Sequence, residues 1–252
     1  MPPLTKLPAW YCPKSARFGT AAAGGTGRDG THLFPAMPYT YYTKVTRGDV
    51  SAIRAYLNTV PAVYNPVKAN QLPFPFSIRA SLIGWNAMFF TPWEFVPDAS
   101  KSVEWNRGAY LAEGLGHCGL CHTPKNFLGG DKSTERLRGY QLQSWFAADI
   151  TNDPRRGLGE WSIDDIIGYL KAGHGRRTNG TGLMAETIGY STSHWNNEDL
   201  KAIATYLKDP RPLVSDRENA PRTTNGVCRQ PAKERGVSRC HAKVRDHGKH
   251  YL

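Results

Sequence analysis

The segment between His117 and His122 constrains this chain more than any other stretch, because Cys118 and Cys121 are followed there directly by a histidine. Two thiols three positions apart lie on one helical turn, where each can form a thioether with a vinyl group of haem. The adjoining imidazole is a good iron ligand in its neutral form. The pattern therefore predicts covalent haem c attachment through Cys118 and Cys121, with His122 as an axial ligand of the iron.

A methionine supplies the second axial ligand that this interpretation needs. Met184 lies 62 residues after His122, in the run Gly-Leu-Met-Ala-Glu at 182–186. The intervening chain contains an irregular Asn, Asp, Pro and Gly run at 152–159, and it is long enough to wrap a haem and return from the other face. A thioether as sixth ligand raises the reduction potential of a haem. We therefore predict that Met184 is the sixth ligand.

Two side chains near these ligands have weaker interpretations. Trp161 either lines the haem edge or fills the hydrophobic core, as most tryptophans do. His117 is expected to be an exposed neighbour of the attachment motif.

Helix signals flank the motif on both sides. Residues 105–113 form a plausible helix leading into it, and Ser162 with Asp165 has the pattern of a capping box for a second helix. Gly173 is expected to end that helix. A third helix begins near Asn196, and its predicted buried stripe is Leu200, Ile203, Ala204 and Leu207. Three helices around one haem predict an all-α cytochrome c domain over residues 100–210.

Other uses of the cysteine pair remain open at this point. A Cys-x-x-Cys pair also occurs as half of a zinc site, but Cys228 and Cys240 lack the close spacing of a second half. It occurs too as a thioredoxin-like dithiol, although no βαβ pattern precedes this one. Cys240 precedes His241, yet Val237 stands where a first attachment cysteine would be. Cys12 is interpreted as an ordinary thiol.

The charge of the chain is concentrated at its C-terminus. Residues 211–252 contain ten Lys or Arg and four Asp or Glu, which is +6 of the formal net charge of +11. This stretch has neither helical nor strand periodicity and is predicted to be a basic, disordered tail. A tail of this kind can contact nucleic acid or acidic lipid, but a solvated tail is the simpler interpretation, and no nucleic-acid partner is expected.

An internal repeat links the N-terminal region to the haem domain. Residues 49–57 align with residues 199–207 at a constant offset of 150, with Asp, Ala, Ile, Tyr and Leu identical. A polar cap precedes each copy, Thr46 in the first, and Met37 precedes the first copy as Met184 precedes the second. Such repeats indicate duplicated units. Residues 25–60 are therefore predicted to be an incomplete second cytochrome c-like unit, with Met37 as a vestigial axial ligand.

The first copy lacks its own Cys-x-x-Cys-His, so one haem per chain is expected. A thioether alone is a weak ligand, and His32 is too close to Met37 in sequence to reach the opposite face of a haem. The aromatic lining of the half-pocket, Phe34, Tyr39 and Tyr41, is expected either to collapse onto residues 61–104 or to remain mobile.

The remaining segments have no motif of their own. Residues 61–99, rich in Pro and aromatic rings, are predicted to be an ordered interdomain segment, and the same rings would form a docking patch if they were exposed. Residues 1–24 are predicted to be irregular, with no apolar core of the length that a secretory signal needs. No stretch approaches the roughly 20 apolar residues of a membrane-spanning helix.

Over residues 24–210 the chain resembles the multihaem cytochrome c subunit of bacterial membrane-bound dehydrogenases, of the alcohol, gluconate and sorbitol type. The stretches that carry the likeness are residues 107–111 (Arg-Gly-Ala-Tyr-Leu), 114–124, 157–162 and 183–186. The resemblance implies a periplasmic, membrane-associated electron carrier without a catalytic site. Its implied partners are a quinoprotein or flavoprotein dehydrogenase subunit, which reduces it, and quinone or another downstream acceptor. The family carries three cytochrome domains, so this chain is expected to be a fragment. The alternative function is a non-redox remnant that only binds a partner.

Overall fold

A computed structural model describes residues 24–209 of the chain, except residues 28–29, 67–70, 75–76, 143 and 176–177. The described part is mostly helical, which confirms the all-α expectation at the level of fold class. Its α-helices are α1 (Tyr39–Tyr42), α2 (Arg47–Leu57), α3 (Ser81–Phe89), α4 (Val103–Tyr110), α5 (Gly119–His122), α6 (Ile163–Ala172), α7 (Gly182–Tyr190) and α8 (Asn197–Leu207). Short 3₁₀ turns lie at Ser133–Glu135 and Thr192–His194, and β1 (Tyr140–Leu142) pairs antiparallel with β2 (Trp145–Ala147).

The helix leading into the Cys-x-x-Cys-His motif starts two residues before the predicted range of 105–113, and its α-helical form ends at Tyr110, within that range. Ser102 caps α4 by accepting a hydrogen bond from the Trp105 amide at 3.0 Å. After Tyr110 the chain continues as a π-helical turn, Leu111–Leu115. Gly114 and Gly116 have low helix propensity, and they lie where the regular helix gives way to the motif.

The two later helices begin where their local sequence predicts, and α6 also ends there. Ser162 and Asp165 form the expected reciprocal capping box of α6, and Gly173 ends that helix in the left-handed region with φ +74°. Asn196 caps α8 by accepting from the Asp199 amide at 2.7 Å. The predicted stripe of α8 is buried, and Ala202 and Tyr206 are buried with it.

The core of the described region forms where α4 crosses α8. Gly108 lies against the backbone carbonyl of Ala202, and the Trp105 ring meets the Tyr206 ring edge-on with centroids 5.1 Å apart. Arg107 donates to both carboxylate oxygens of Asp199 at 2.7 and 3.0 Å. The buried members of this core are Val45, Ala109, Tyr110, Leu111, Ala112, Leu137, Ile203, Tyr206 and Leu207.

The first copy of the repeat is a helix, as predicted, but it is not buried like the second. Thr46 caps α2 by accepting from the Asp49 amide at 3.2 Å. No residue of α2 is buried. Ile53 is 38% exposed and Tyr56 69% exposed, whereas their equivalents in α8 are 3% and 5% exposed. The structure thus supports the repeat as a shared helix, and it does not show a second cytochrome-like unit.

The segment between the two copies divides into two parts. Its second part is packed by its rings, as expected: the Trp85 indole N–H donates to the Leu128 carbonyl at 2.8 Å, and Phe89 lies against Gly130. Its first part is exposed, with Val63 78% and Phe74 81% accessible. Helix α3 within this segment was not predicted from the sequence.

The aromatic residues of the N-terminal region pack against two different neighbours. The Tyr39 hydroxyl donates to Asn86 at 2.6 Å, and Arg79 stacks over Phe34 at 4.8 Å. These two rings have collapsed onto the segment 61–104, as one of the two expectations required. Tyr41 instead contacts the loop that follows the Cys-x-x-Cys-His motif, where its hydroxyl donates to Asp131.

Several sequence expectations fall outside the described residues. Cys12, Cys228 and Cys240, the N-terminal segment before residue 24 and the basic tail after residue 209 belong to this group. Among the helices of the described part, none combines the length and the apolar character that crossing a membrane demands.

Candidate functional site

The structure places Cys118, Cys121 and His122 on one helical turn. Cys118 stands at the N-cap of α5, and its carbonyl accepts a hydrogen bond from the His122 amide at 3.0 Å. The Cys118 amide in turn donates to the Ala112 carbonyl at 2.9 Å, which ties the turn to the preceding π-helical residues. Both thiols are partly buried and are not joined in a disulfide. The two thiols and the imidazole therefore project from the same short helical turn.

His122 is oriented by a backbone carbonyl. Its Nδ1 lies 2.6 Å from the Ala148 oxygen, and because a carbonyl can only accept, Nδ1 carries the proton. Nε2 is then the nitrogen that remains for a metal, which is the usual arrangement of a ligating histidine and its supporting acceptor. Burial lowers the pKa of His122, against smaller raising effects of the Ala148 carbonyl and Asp149, so the imidazole is neutral at neutral pH.

The thiols are in an environment that does not resemble a reactive dithiol. Burial raises the pKa of Cys118 to about 11, and burial also raises the pKa of Cys121, although Lys125 opposes the change. Redox-active Cys-x-x-Cys pairs have lowered thiol pKa values. No group of three His, Cys, Asp or Glu side chains with metal-ligand placement occurs between residues 24 and 209 outside the gaps. The described region thus adds no ligands for the zinc alternative.

Met184 lies partly buried in the first turn of α7, two residues after Gly182. Gly182 has φ +53°, and a Cβ at this position would lie 2.5 Å from the Trp145 ring, so the indole packs directly on the backbone there. Trp145 is at the tip of the β1–β2 hairpin. The tip of the hairpin is therefore packed against the turn that precedes Met184.

The base of the same hairpin holds His122. The Gly139 amide, just before β1, donates to the His122 carbonyl at 2.8 Å, and Ala148, just after β2, accepts from its imidazole. The hairpin thus connects the attachment turn to the start of α7. No residue pattern predicts this link, because its key groups are backbone atoms and a glycine.

The three remaining residues singled out in the sequence are Met37, Trp161 and His117, and each has its own set of contacts. The Met37 amide donates to Phe34 and its carbonyl accepts from Tyr39, in a turn before α1. Trp161 is partly buried with its ring edge-on to Tyr169, centroids 5.8 Å apart. The expectation that His117 is exposed was wrong. His117 is half-buried because Tyr42, from the N-terminal region, packs edge-on against its ring with the centroids 5.5 Å apart. Its backbone has φ +36°.

The sequence analysis also did not predict a buried charge cluster formed by Glu113, Lys44 and Arg136. Glu113, in the π-helical turn, accepts from Lys44 at 3.2 Å, from Arg136 Nε at 3.0 Å and from the Tyr206 hydroxyl at 2.7 Å. The Lys44 side chain is 1% exposed and the Glu113 side chain 8% exposed. Two cations share one carboxylate, so the cluster joins the N-terminal region, the motif helix and the loop after the motif.

The residues present fit a covalently held haem c. The same helical turn carries two protonated thiols and a neutral imidazole whose Nε2 is available to a metal. The Asn152 side-chain oxygen, in the loop after Ala148, is buried and has no hydrogen-bond partner among the described groups. Buried polar atoms usually have partners, so an orphaned oxygen near a candidate site is consistent with a ligand surface there.

No family model matches the chain. It is 43% identical over 194 residues to the fructose dehydrogenase cytochrome subunit of Gluconobacter japonicus, a match covering 76% of this chain and 40% of that protein. It is 37% identical over 213 residues to the alcohol dehydrogenase (quinone) cytochrome c subunit of Gluconacetobacter polyoxogenes, covering 81% and 46%.

A third relative is shorter. The diheme cytochrome c-type protein of Cereibacter sphaeroides is 36% identical over 194 residues, covering 77% of this chain and 64% of that protein. The chain thus spans less than two thirds of the length of each of these relatives. The resemblance expected from the sequence is confirmed: over most of its length the chain is homologous to the cytochrome c subunits of dehydrogenases.

Proposed function

We propose that this chain is a c-type cytochrome that carries electrons and has no catalytic site of its own. Cys118 and Cys121 hold one haem c, and His122 Nε2 and the Met184 thioether are the axial ligands. The observation that carries the proposal is the orientation of His122 by the Ala148 carbonyl, on the same turn as the two thiols. The bound haem supplies one-electron chemistry at its iron.

The surrounding residues have three roles in this proposal. Ala148 and Gly139 fix the imidazole and the backbone of His122, so Nε2 keeps one direction. Burial keeps the imidazole neutral and therefore able to donate its lone pair. The hairpin, with Trp145 on Gly182, holds the start of α7 and with it Met184. If His122 and Met184 both held the iron, the haem would supply electron transfer and would leave no position for a substrate to bind the metal.

The domain arrangement is part of the same proposal. Residues 100–210 form the haem-bearing cytochrome c domain, and residues 25–60 form an incomplete second unit in which Met37 is a vestigial ligand. Thr46 and Asn196 cap equivalent helices, which supports the duplication. Trp161 keeps both interpretations, haem edge or core, since the edge-on contact of its ring with Tyr169 is compatible with each.

The names of the relatives suggest which proteins exchange electrons with this chain. Two of them are subunits of a fructose and of a quinone-dependent alcohol dehydrogenase. By analogy, a quinoprotein or flavoprotein dehydrogenase subunit reduces this chain, and quinone or another acceptor oxidises it. A periplasmic, membrane-associated location is part of the same proposal.

A pyridine haemochrome measurement on the full chain, expressed with a cytochrome c maturation system, tests the proposal. The expected result is one covalently bound haem per chain, reducible and reoxidisable without added substrate. The variant with Cys118→Ala and Cys121→Ala should contain none. A chain that is exported and folded but has no haem would overturn the proposal and favour a non-redox fragment that only binds a partner.

A further inference from the structure

Asp149 is a buried acidic residue beside the candidate iron ligand, and the proposed function gives it no role. Its side chain follows directly on Ala148, whose carbonyl oxygen lies 2.6 Å from Nδ1 of His122. The Asp149 amide therefore belongs to the same peptide unit as the carbonyl that orients the imidazole. Burial lowers the pKa of His122, and the charge of Asp149 is one of the effects that oppose this change. The carboxylate is thus electrostatically coupled to the imidazole.

Two glycines account for the burial of Asp149, which is 7% exposed. A Cβ on Gly139 would lie 2.9 Å from the Asp149 amide nitrogen, and a Cβ on Gly157 would lie 3.0 Å from its Oδ1. The main chain at both glycines therefore packs directly against Asp149, where a larger residue would not fit. Water is excluded from the carboxylate by backbone and not by a mobile side chain.

The carboxylate has hydrogen-bond donors but no cation beside it. Oδ1 accepts from the Thr151 amide at 2.8 Å and from the Thr151 hydroxyl at 2.6 Å. Two nearby cations bond elsewhere, since Lys208 donates to two backbone carbonyls and Arg156 pairs with Asp153. Within the described part of the chain, no Lys, Arg or His forms an ion pair with Asp149. Its negative charge is therefore not neutralised locally.

We propose that the Asp149 carboxylate lowers the reduction potential of the haem held at His122. The inference rests on the proposed function, because it requires a haem on this turn. Ferric haem carries one more positive charge than ferrous haem, so a fixed negative charge nearby stabilises the ferric state. Burial strengthens the effect, because a charge away from water is screened less. Asp149 acts through this field, and it opposes the Met184 thioether, which raises the potential.

Replacement of Asp149 by asparagine separates the charge from the shape of the side chain. The amide oxygen of Asp149→Asn can still accept from Thr151, while the negative charge is gone. Spectroelectrochemical titration of the full haem-bearing chain measures the result. At a fixed electrode potential, the ratio of ferrous to ferric haem should be about tenfold higher than in the wild type. For a one-electron couple this is an upward shift of about 59 mV.

Asp153→Asn is the matched control, because it removes a negative charge from the same loop at a side chain that is 33% exposed and paired with Arg156. Its ferrous-to-ferric ratio should stay within about twofold of the wild type, since exposed charges are screened by water and salt. The shift in Asp149→Asn should persist in about 1 M salt for the opposite reason. Asp149→Ser, a second neutral variant whose hydroxyl can accept from the Thr151 amide, should shift the potential in the same direction.

A purely structural role of Asp149 gives a different result. It requires only the hydrogen bonds to Thr151, so the potential of Asp149→Asn would then equal that of the wild type. An unchanged or lower potential, an equal shift in Asp153→Asn, or loss of haem from both neutral variants would overturn the proposal. Pyridine haemochrome measurements on the same samples keep the two questions apart. A wild-type chain without haem contradicts the proposed function, whereas haem-bearing variants with equal potentials contradict only the role of Asp149.

Discussion

Gly108 and Ala202 are in direct backbone contact where α4 crosses α8, and a Cβ at Gly108 would overlap the Ala202 carbonyl oxygen. The same Cβ would lie 2.9 Å from Tyr206 Cβ. Neither neighbour can move away easily, because one is helix backbone and the other is fixed in the core. This contact sets the separation of the two helices that frame the attachment motif.

Gly108→Ala should therefore destabilise the fold by about 1–3 kcal/mol, the usual cost of overpacking a core. Gly168→Ala is the matched control, since Gly168 lies inside α6 and a Cβ there meets nothing within 4 Å. Because alanine is a better helix former, the control should stabilise by up to about 1 kcal/mol. Thermal unfolding of both variants checks this, and equal midpoints would contradict the close crossing.

The Glu113 cluster predicts a large penalty for losing one buried charge. Glu113→Gln leaves Lys44 and Arg136 buried without their shared anion, at an expected cost of about 3–5 kcal/mol. Glu135→Gln removes an ion pair with Lys132 whose side chains are about half exposed, and it should cost less than about 1 kcal/mol. Denaturant unfolding measures both. A mild effect of Glu113→Gln would show that water reaches the cluster.

Local signals explain what the sequence predicted well. A cap depends on residues three apart, so Ser162 with Asp165 and Asn196 with Asp199 could be identified without any tertiary information. The attachment turn is equally local. The end of α6 follows from Gly173, whose positive φ is accessible to glycine at low cost.

The remaining features depend on residues distant in sequence or on backbone atoms. The Ala148 carbonyl that orients His122 has no sequence signature, because every residue has a carbonyl. Lys44 and Glu113 are 69 positions apart, so neither predicts the other. The exposure of α2 could not be inferred from its likeness to α8, since burial depends on the helix packed against a residue and not on the repeated residues alone.

Tyr39 predicts a loss of stability at alkaline pH. Burial raises its pKa from 10.0 to about 12, although the hydrogen bond to Asn86 opposes this. The unfolded state therefore releases its proton first, and the free energy of unfolding should fall as pH rises from about 10 to about 12. Denaturant unfolding across this range should show a shallower slope in Tyr39→Phe, while Tyr56→Phe, at an exposed side chain, should retain the original slope. Equal slopes in all three would show that Tyr39 ionises in the folded chain.

Covalent attachment predicts how haem is lost. Replacing Cys118 alone by Ala should leave one thioether and a haem that survives a denaturing gel in reduced yield, whereas replacing both cysteines should abolish haem staining. Lys125→Ala, a change beside Cys121 that leaves both thiols in place, is the control. Haem retained covalently by the double variant would refute attachment at this turn.

The two methionines with equivalent places in the repeat should behave differently. If His122 and Met184 ligate the iron, Met184→Ala removes the thioether that raises the reduction potential, so the potential should fall and the weak near-infrared band of thioether-bound ferric haem should disappear. Met37→Ala should change neither, because Met37 lies in a turn bonded to Phe34 and Tyr39 and has no Cys-x-x-Cys-His of its own. Redox titration and iron analysis of both variants decide the matter. Two irons per chain, or haem loss in Met37→Ala with Met184 intact, would show that the first unit still binds haem, and the α2 region would then already be a complete haem pocket.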